Sequence, residues 1–217
     1  MILVMRNLHW FLLISLISSI SLNGCDSTSR EDTTIVNNNE KKQSKRHLLH
    51  DIQPLLDKET VQAIVEIPAG TVDKWELNKK TGLLEWELVD KQPRKINYIG
   101  YPGNYGMVPR TVLSAKEGGD GDPLDILILG PPKKRGQILN CKLIGVLYLL
   151  DNKERDDKLI AVAENSNFSE INTIEELKEK FNGLPQIIQI WFENYKGPGK
   201  MQSKGFGDQS EAMEILK

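Results

Sequence analysis

The sequence predicts an α+β domain, a small β-barrel whose helices are supplied late in the chain. Between about residues 60 and 163, short strand-like runs follow one another, and Gly, Pro, Asn or Asp interrupts nearly every pair. Many short strands at modest spacing favour a barrel or sandwich over a doubly wound sheet. After residue 170 the apolar period lengthens to that of helices. The 217 residues, 39% hydrophobic and 27% charged, are ample for one buried core plus additional segments. A net charge of −2 lacks the basic surplus of a nucleic-acid binder, so no nucleic-acid partner is expected.

The first 24 residues, "MILVMRNLHWFLLISLISSISLNG", carry one Arg, no acid, and an apolar run from Trp10 to Leu22 broken only by serines. That run is shorter than the about 20 apolar residues of a membrane span. It suits the apolar centre of a secretory signal peptide. The exit, Leu22-Asn23-Gly24-Cys25, resembles the bacterial lipoprotein signal, in which a Leu, two mostly small residues and a Cys mark cleavage and lipidation. Asn23 departs from the usual small residue. A noncleaved anchor and an ordinary signal with an incidental Cys are the competing readings. The lipoprotein resemblance implies export and lipid anchoring through Cys25 to the bacterial cell membrane, on the periplasmic face if the cell has two membranes. There Asp26 would favour retention in the inner membrane. Residues 25–49 then form the lipidated Cys and a flexible polar tether, too poor in apolar residues to fold. About 21 residues of tether span roughly 25 Å on average. With Cys25 lipidated, Cys141 is alone, no intramolecular disulfide can form, and Cys141 is expected as inert core.

The folded domain is expected over residues 50–217. Its strand-like runs are "VQAIVEIP", "KWEL", "LLEWELV", "INYIGY", "LDILILG", "ILNCKLIGVLYLL" and "KLIAVA". In "NTIEELKEKF", Thr173 precedes Glu176 at capping-box spacing and opens a first helix. "LPQIIQIWFENYK" predicts a second, with Pro185 near its first turn, and "SEAMEILK" a short third.

The three histidines, His9, His47 and His50, all precede residue 51. Ser-His-Asp and Cys-His nucleophilic arrangements, and a typical zinc site, are therefore not expected in the domain. Chemistry must come from carboxylates, Lys, Arg, Tyr and hard metal ions. The segment "GGDGDPLDILIL" places Asp120, Asp122 and Asp125 hard against an apolar run. An acidic turn before a strand is the bland reading. An EF-hand fails on register, because Leu124, Asp125 and Pro131 stand where that loop needs an acid, a Gly and a Glu. What remains is a cluster of oxygen ligands too dense to stay ionised without cations, a donor set that selects Mg²⁺, Mn²⁺ or Ca²⁺. Asp151, Asp156, Asp157 and Lys158 make a second acidic turn between strands, and Glu66, Lys74 and Glu76 a third group. Lys74 and Glu76 share one strand face. Each alone reads as a solvated face; together they compose a site for several metals and an anionic phosphate.

"DGDPLD" resembles the signature of family I soluble inorganic pyrophosphatases, Asp-x-Asp-Pro-apolar-Asp. "EIPAG", "KWE", "YPGNYG", the turn at 151–158 and "ENYKGP" follow the same family's order, so the resemblance covers about residues 60 to 217. It implies a small closed OB-like barrel and hydrolysis of pyrophosphate to two phosphates. It also implies several Mg²⁺ ions per site with Mn²⁺ as a substitute, and a homo-oligomer, hexameric in typical bacterial members and dimeric in eukaryotic ones. By the same resemblance Asp120, Asp125, Asp156 and Asp151 are metal ligands, with Glu66 and Glu76 completing the metal and water network. Asp122 is the catalytic carboxylate that orients or deprotonates the attacking water. Lys74, Arg94, Tyr105, Lys158, Tyr195 and Lys196 hold phosphate oxygens, and Tyr101 occupies a further active-site position. Arg94 lies eleven residues before Tyr105, where the family expects an arginine about a dozen before, and Asn152 stands where many members have Glu. The alternative is a catalytically idle metal- or phosphate-binding lipoprotein, which export brings into view because family members are usually cytoplasmic.

Overall fold

The computed structural model describes residues 46–112 and 121–217. The expected signal peptide, Cys25, most of the tether and Asp120 lie outside the described residues. Among those described, no helix is long and apolar enough to cross a membrane.

Five strands close into a ring. They are β1 (Thr60–Ile67), β6 (Asn104–Met107), β7 (Asp125–Leu129), β10 (Lys158–Ala163) and β8 (Ile138–Asp151). Each pairs with the next antiparallel, except β7 with β10, which run parallel, and β8 returns to β1. Closure follows from the length of β8. Its start pairs with β1 (Thr60 opposite Lys142), its middle with β10, and its far half with β11 (Met201–Gly207). Closing the ring removes most exposed sheet edge. This is the expected small OB-like barrel, with its helices in the last quarter of the chain.

Both faces of the ring are covered, so its strands read as near-continuous apolar runs rather than clean alternations. Ile126 and Ile128 enter one cluster with Val61, Cys141 and Ala161, sealed by α3 (Gln209–Leu216) through Ala212 and Leu216. Leu127 and Leu129 point the opposite way, into a cluster with Trp191 and Phe192 of α2 (Leu184–Asn194) and Leu177 of α1 (Ile174–Lys180). Cys141 is buried in the first cluster, with its thiol pushed up to about 12 by burial. The chain is already packed at Leu49, which is 4% exposed.

Thr173 caps α1 as expected, its Oγ1 accepting from the Glu176 amide at 3.0 Å. The return bond differs from a full box: Glu176 accepts from Asn172, one residue before the cap. A complete capping box forms at Asp208 and Glu211 of α3.

Three expectations change. "LLEWELV" is two strands, β3 (Leu83–Trp86), which pairs with β2 (Trp75–Asn78), and β4 (Leu88–Val89), which forms a hairpin with β5 (Gln92–Pro93). "INYIGY" is not a strand. Tyr98 and Ile99 are exposed, the Ile99 carbonyl accepts from the Trp191 indole at 2.9 Å, and Gly100 packs on the backbone of Gly70. The strand is β6, inside "YPGNYG", where a Cβ on Gly106 would lie 1.8 Å from the Ile64 carbonyl oxygen. β11 had no apolar pattern to announce it; "MQSKGFG" forms because the far half of β8 offers it an edge. The remaining strand, β9 (Glu154–Arg155), completes a two-residue hairpin with β8.

Candidate active site

One end of the ring gathers the chemistry. Glu66 is the last but one residue of β1, Asp125 opens β7, Asp156 and Lys158 stand at the start of β10, and Tyr105 lies on β6. β2 brings Glu76 over this end, with Lys74 just ahead of it, and the turn after α2 brings Tyr195 and Lys196. These residues, with Arg94 and Asp122, line a single cavity of about 440 Å³. Eleven of the residues expected in the site thus share one wall.

Two expected residues stand behind it. Tyr101 is 2% exposed and packs in an aromatic stack with Tyr105, Trp191 and Tyr195. It backs the wall and does not line it. Asp151, at the end of β8, meets the site through Lys196, whose Nζ bonds its Oδ2 at 2.5 Å. Asn152 holds Asp151 from the other side at 2.9 Å, and its φ of 49° fits the tight β8–β9 turn, where a small amide side chain tolerates the left-handed region. Asp120 lies outside the described residues.

Two charged lining residues were not anticipated. Glu87, between β3 and β4, bonds Arg94 at 2.6 Å. Lys79, in the turn after β2, pairs with Asp122 and reaches the Gly121 carbonyl at 3.3 Å. Sequence gave no signal for either: Glu87 sits two after Glu85 in a half-exposed strand pattern, and Lys79 is one lysine of "NKKTG".

The electrostatics are those of crowded acids held by lysine. Lys158 is 1% exposed and donates to Asp125 at 2.6 Å and Asp156 at 2.5 Å. Burial disfavours its charge, but the two carboxylates outweigh this and raise its pKa. Burial works against the Asp125 anion too, yet Lys158 and the Tyr105 hydroxyl hold its pKa below the ordinary carboxylate value. Asp156 shares that lysine but shifts up, because burial and the Asp125 charge exceed what Lys158 and Lys196 return. Glu66, 5% exposed, is pushed up to about 8 by burial despite the nearby Lys74 and the Leu77 amide, which bonds its Oε1 at 2.8 Å. Burial also raises Glu76. Tyr105 and Tyr195 stay protonated far above neutrality through burial, so both hydroxyls are donors.

Among the described residues no three carboxylates close ready-made around one point; Lys158 takes the place between Asp125 and Asp156. The donor set still fits divalent cations. It is oxygen only, it is anchored on rigid strand ends, and Glu66 is a buried acid whose ionisation needs more positive charge than the lysines supply.

The family model for inorganic pyrophosphatase matches residues 63–217. The inorganic pyrophosphatase of Campylobacter jejuni is 35% identical over 165 residues, covering 72% of this chain and 88% of that protein. Among solved structures, inorganic pyrophosphatase from Thermus thermophilus superposes with a TM-score of 0.66 at 27% identity, covering 79% of this chain and 95% of its own. An N-terminally truncated vacuolar soluble pyrophosphatase of Trypanosoma cruzi, in complex with PPi, gives 0.70 at 26% identity, covering 79% and 71%. A match that spans the whole ring, its late helices and the cavity wall settles the kinship: the chain belongs to the soluble, family I inorganic pyrophosphatases, enzymes that hydrolyse inorganic pyrophosphate.

Proposed function

We propose that the chain hydrolyses pyrophosphate with Mg²⁺ as its working cation and Mn²⁺ as a substitute, at the cavity between β1, β2, β7 and β10. The observation that carries this is the convergence of strand-anchored carboxylates with five lysine or arginine side chains on one wall. Asp120, Asp125, Asp156, Glu66 and Glu76 would hold the cations, and Asp151 would act beside them through Lys196. Bound there, divalent cations supply positive charge to the phosphate oxygens and lower the pKa of water. The oxygen-only donors and the buried Glu66 support that assignment.

The chain's own groups divide the remaining work. Asp122, whose side chain is 56% exposed, orients the attacking water and takes its proton, while the bridging P–O bond breaks and the second phosphate leaves. Lys74, Arg94, Lys158 and Lys196 neutralise phosphate oxygens, and the protonated Tyr105 and Tyr195 donate hydrogen bonds to them. Tyr101 supports Tyr105 and Tyr195 from behind.

The lipoprotein signal supports export and anchoring through Cys25, facing the periplasm if the cell has two membranes, with residues 50–217 as the exported enzyme. A homo-oligomer is supported by the apolar outer face of α2, where Ile187 and Ile190 are exposed.

The test is phosphate release from pyrophosphate with and without Mg²⁺, together with Asp122→Asn. Fast Mg²⁺-dependent release, cut by roughly a hundredfold or more in the folded variant, is expected for loss of a general base. Metal binding without release would leave the idle lipoprotein as the answer. Cys25→Ala should free the protein from membranes, and unchanged attachment would remove the lipid-anchor proposal.

A further inference from the structure

We infer that Glu87 is a positioning residue of the pyrophosphate site, fixing the Arg94 guanidinium for the substrate. This rests on the reading of Arg94 as a phosphate ligand. Arg94 leaves the two-residue strand β5 on an exposed hairpin, a poor support for a group that must meet a small anion. Glu87 corrects this at both ends of the residue. Its carbonyl accepts from the Arg94 amide at 2.8 Å, and its carboxylate Oε1 accepts from the guanidinium at 2.6 Å. The same residue is tied to the neighbouring cation, because its amide donates to the Lys74 carbonyl at 2.9 Å, while the Lys74 amide donates to the Arg94 carbonyl at 3.1 Å. The Trp86 indole adds a second donor to that carbonyl at 2.8 Å. Lys74, Glu87 and Arg94 are thus one hydrogen-bonded unit on the cavity wall.

The carboxylate is enclosed more than a surface ion pair would be: the Glu87 side chain is 19% exposed and that of Arg94 32%. Oε2 is buried and, among the described residues, accepts no hydrogen bond. An acid buried with one oxygen unused is costly unless its other oxygen secures something. Here it secures one guanidinium nitrogen, leaving the remaining donors of Arg94 for the substrate. Burial disfavours the Arg94 charge, and Glu87 more than offsets that.

The test is a double-mutant cycle with pyrophosphate as the probe. Glu87→Ala should raise KM about tenfold with kcat changed less than about twofold, the signature of lost substrate binding. Glu87→Gln, whose amide oxygen still accepts from Arg94, should recover most of that loss. In an Arg94→Ala background, Glu87→Ala should add nothing further. A KM unchanged in Glu87→Ala, or raised equally in both backgrounds, would overturn the inference while leaving Arg94 in place. An unchanged KM in Arg94→Ala alone would instead sink the reading of Arg94, and the inference with it. A melting-temperature loss without the KM change would make Glu87 merely structural.

Discussion

Glu66 offers a direct test of the idea that this site is an acid cluster awaiting positive charge. Its carboxyl is 5% exposed and rises from an ordinary 4.5 to about 8, first through burial. In chelator, the folded and unfolded chains are both protonated there at pH 4, so Glu66 then costs no stability. As pH rises through 4.5 the unfolded chain releases this proton, while the folded chain keeps it until about 8. Stability is therefore highest at the acid end of that window and is lost as pH climbs to the folded value. The full shift corresponds to a loss on the order of 5 kcal/mol. Glu66→Gln can still accept the Leu77 amide through its side-chain oxygen but has no proton to hold. Urea unfolding of both proteins in EDTA from pH 5 to 9 should give curves that diverge by several kcal/mol, with the variant the more stable at pH 9. Saturating Mg²⁺ should shrink the wild-type loss, because the cation compensates the anion. Parallel curves for the two proteins in EDTA would refute the reasoning, since Glu66 would then ionise as easily folded as unfolded.

Lys158→Met should be destabilised by about 3–5 kcal/mol in chelator, since Asp125 and Asp156 lose the ammonium they share. Divalent cation should restore part of its melting temperature, and hydrolysis should remain severely reduced. Gly106→Ala should fail to yield soluble protein, because its Cβ would meet the Ile64 carbonyl oxygen at 1.8 Å; soluble expression with a wild-type melting temperature would contradict the β1–β6 register. In a Cys25→Ala chain, Cys141 should ignore a thiol reagent at pH 8 until denaturant is added, its thiol being buried and held near 12. A reaction as fast as that of free cysteine would place it at the surface.

The sequence by itself determined the class of this protein and most of its chemistry. Turn residues between short apolar runs are a local signal, so β1, β7, β8 and β10 were legible, as were three helices marked by a cap, an early proline and an apolar period. The absence of histidine after residue 50 and the spacing of Asp122, Asp125, Asp156 and Lys158 restricted the site to carboxylates and cations, and the ordered motifs then supplied the family. Tertiary structure decided what has no local signature. β6 forms at "NYGM" and not "INYIGY" because Gly106 alone permits the approach to β1, while Trp191 and the Gly70 backbone hold the preceding segment away from any ladder. β11 exists because β8 runs on past its pairing with β1 and leaves its far half free to take another strand. Tyr101 lies behind the wall although it is four residues from Tyr105, because its ring is captured by the stack on α2. Glu87 and Lys79 became part of the site only when the β2–β5 hairpins folded over the end of the ring. A charged residue on a short strand reads the same in sequence whether it meets water or a buried guanidinium; the partner comes from another part of the chain, and closing the barrel brings them together.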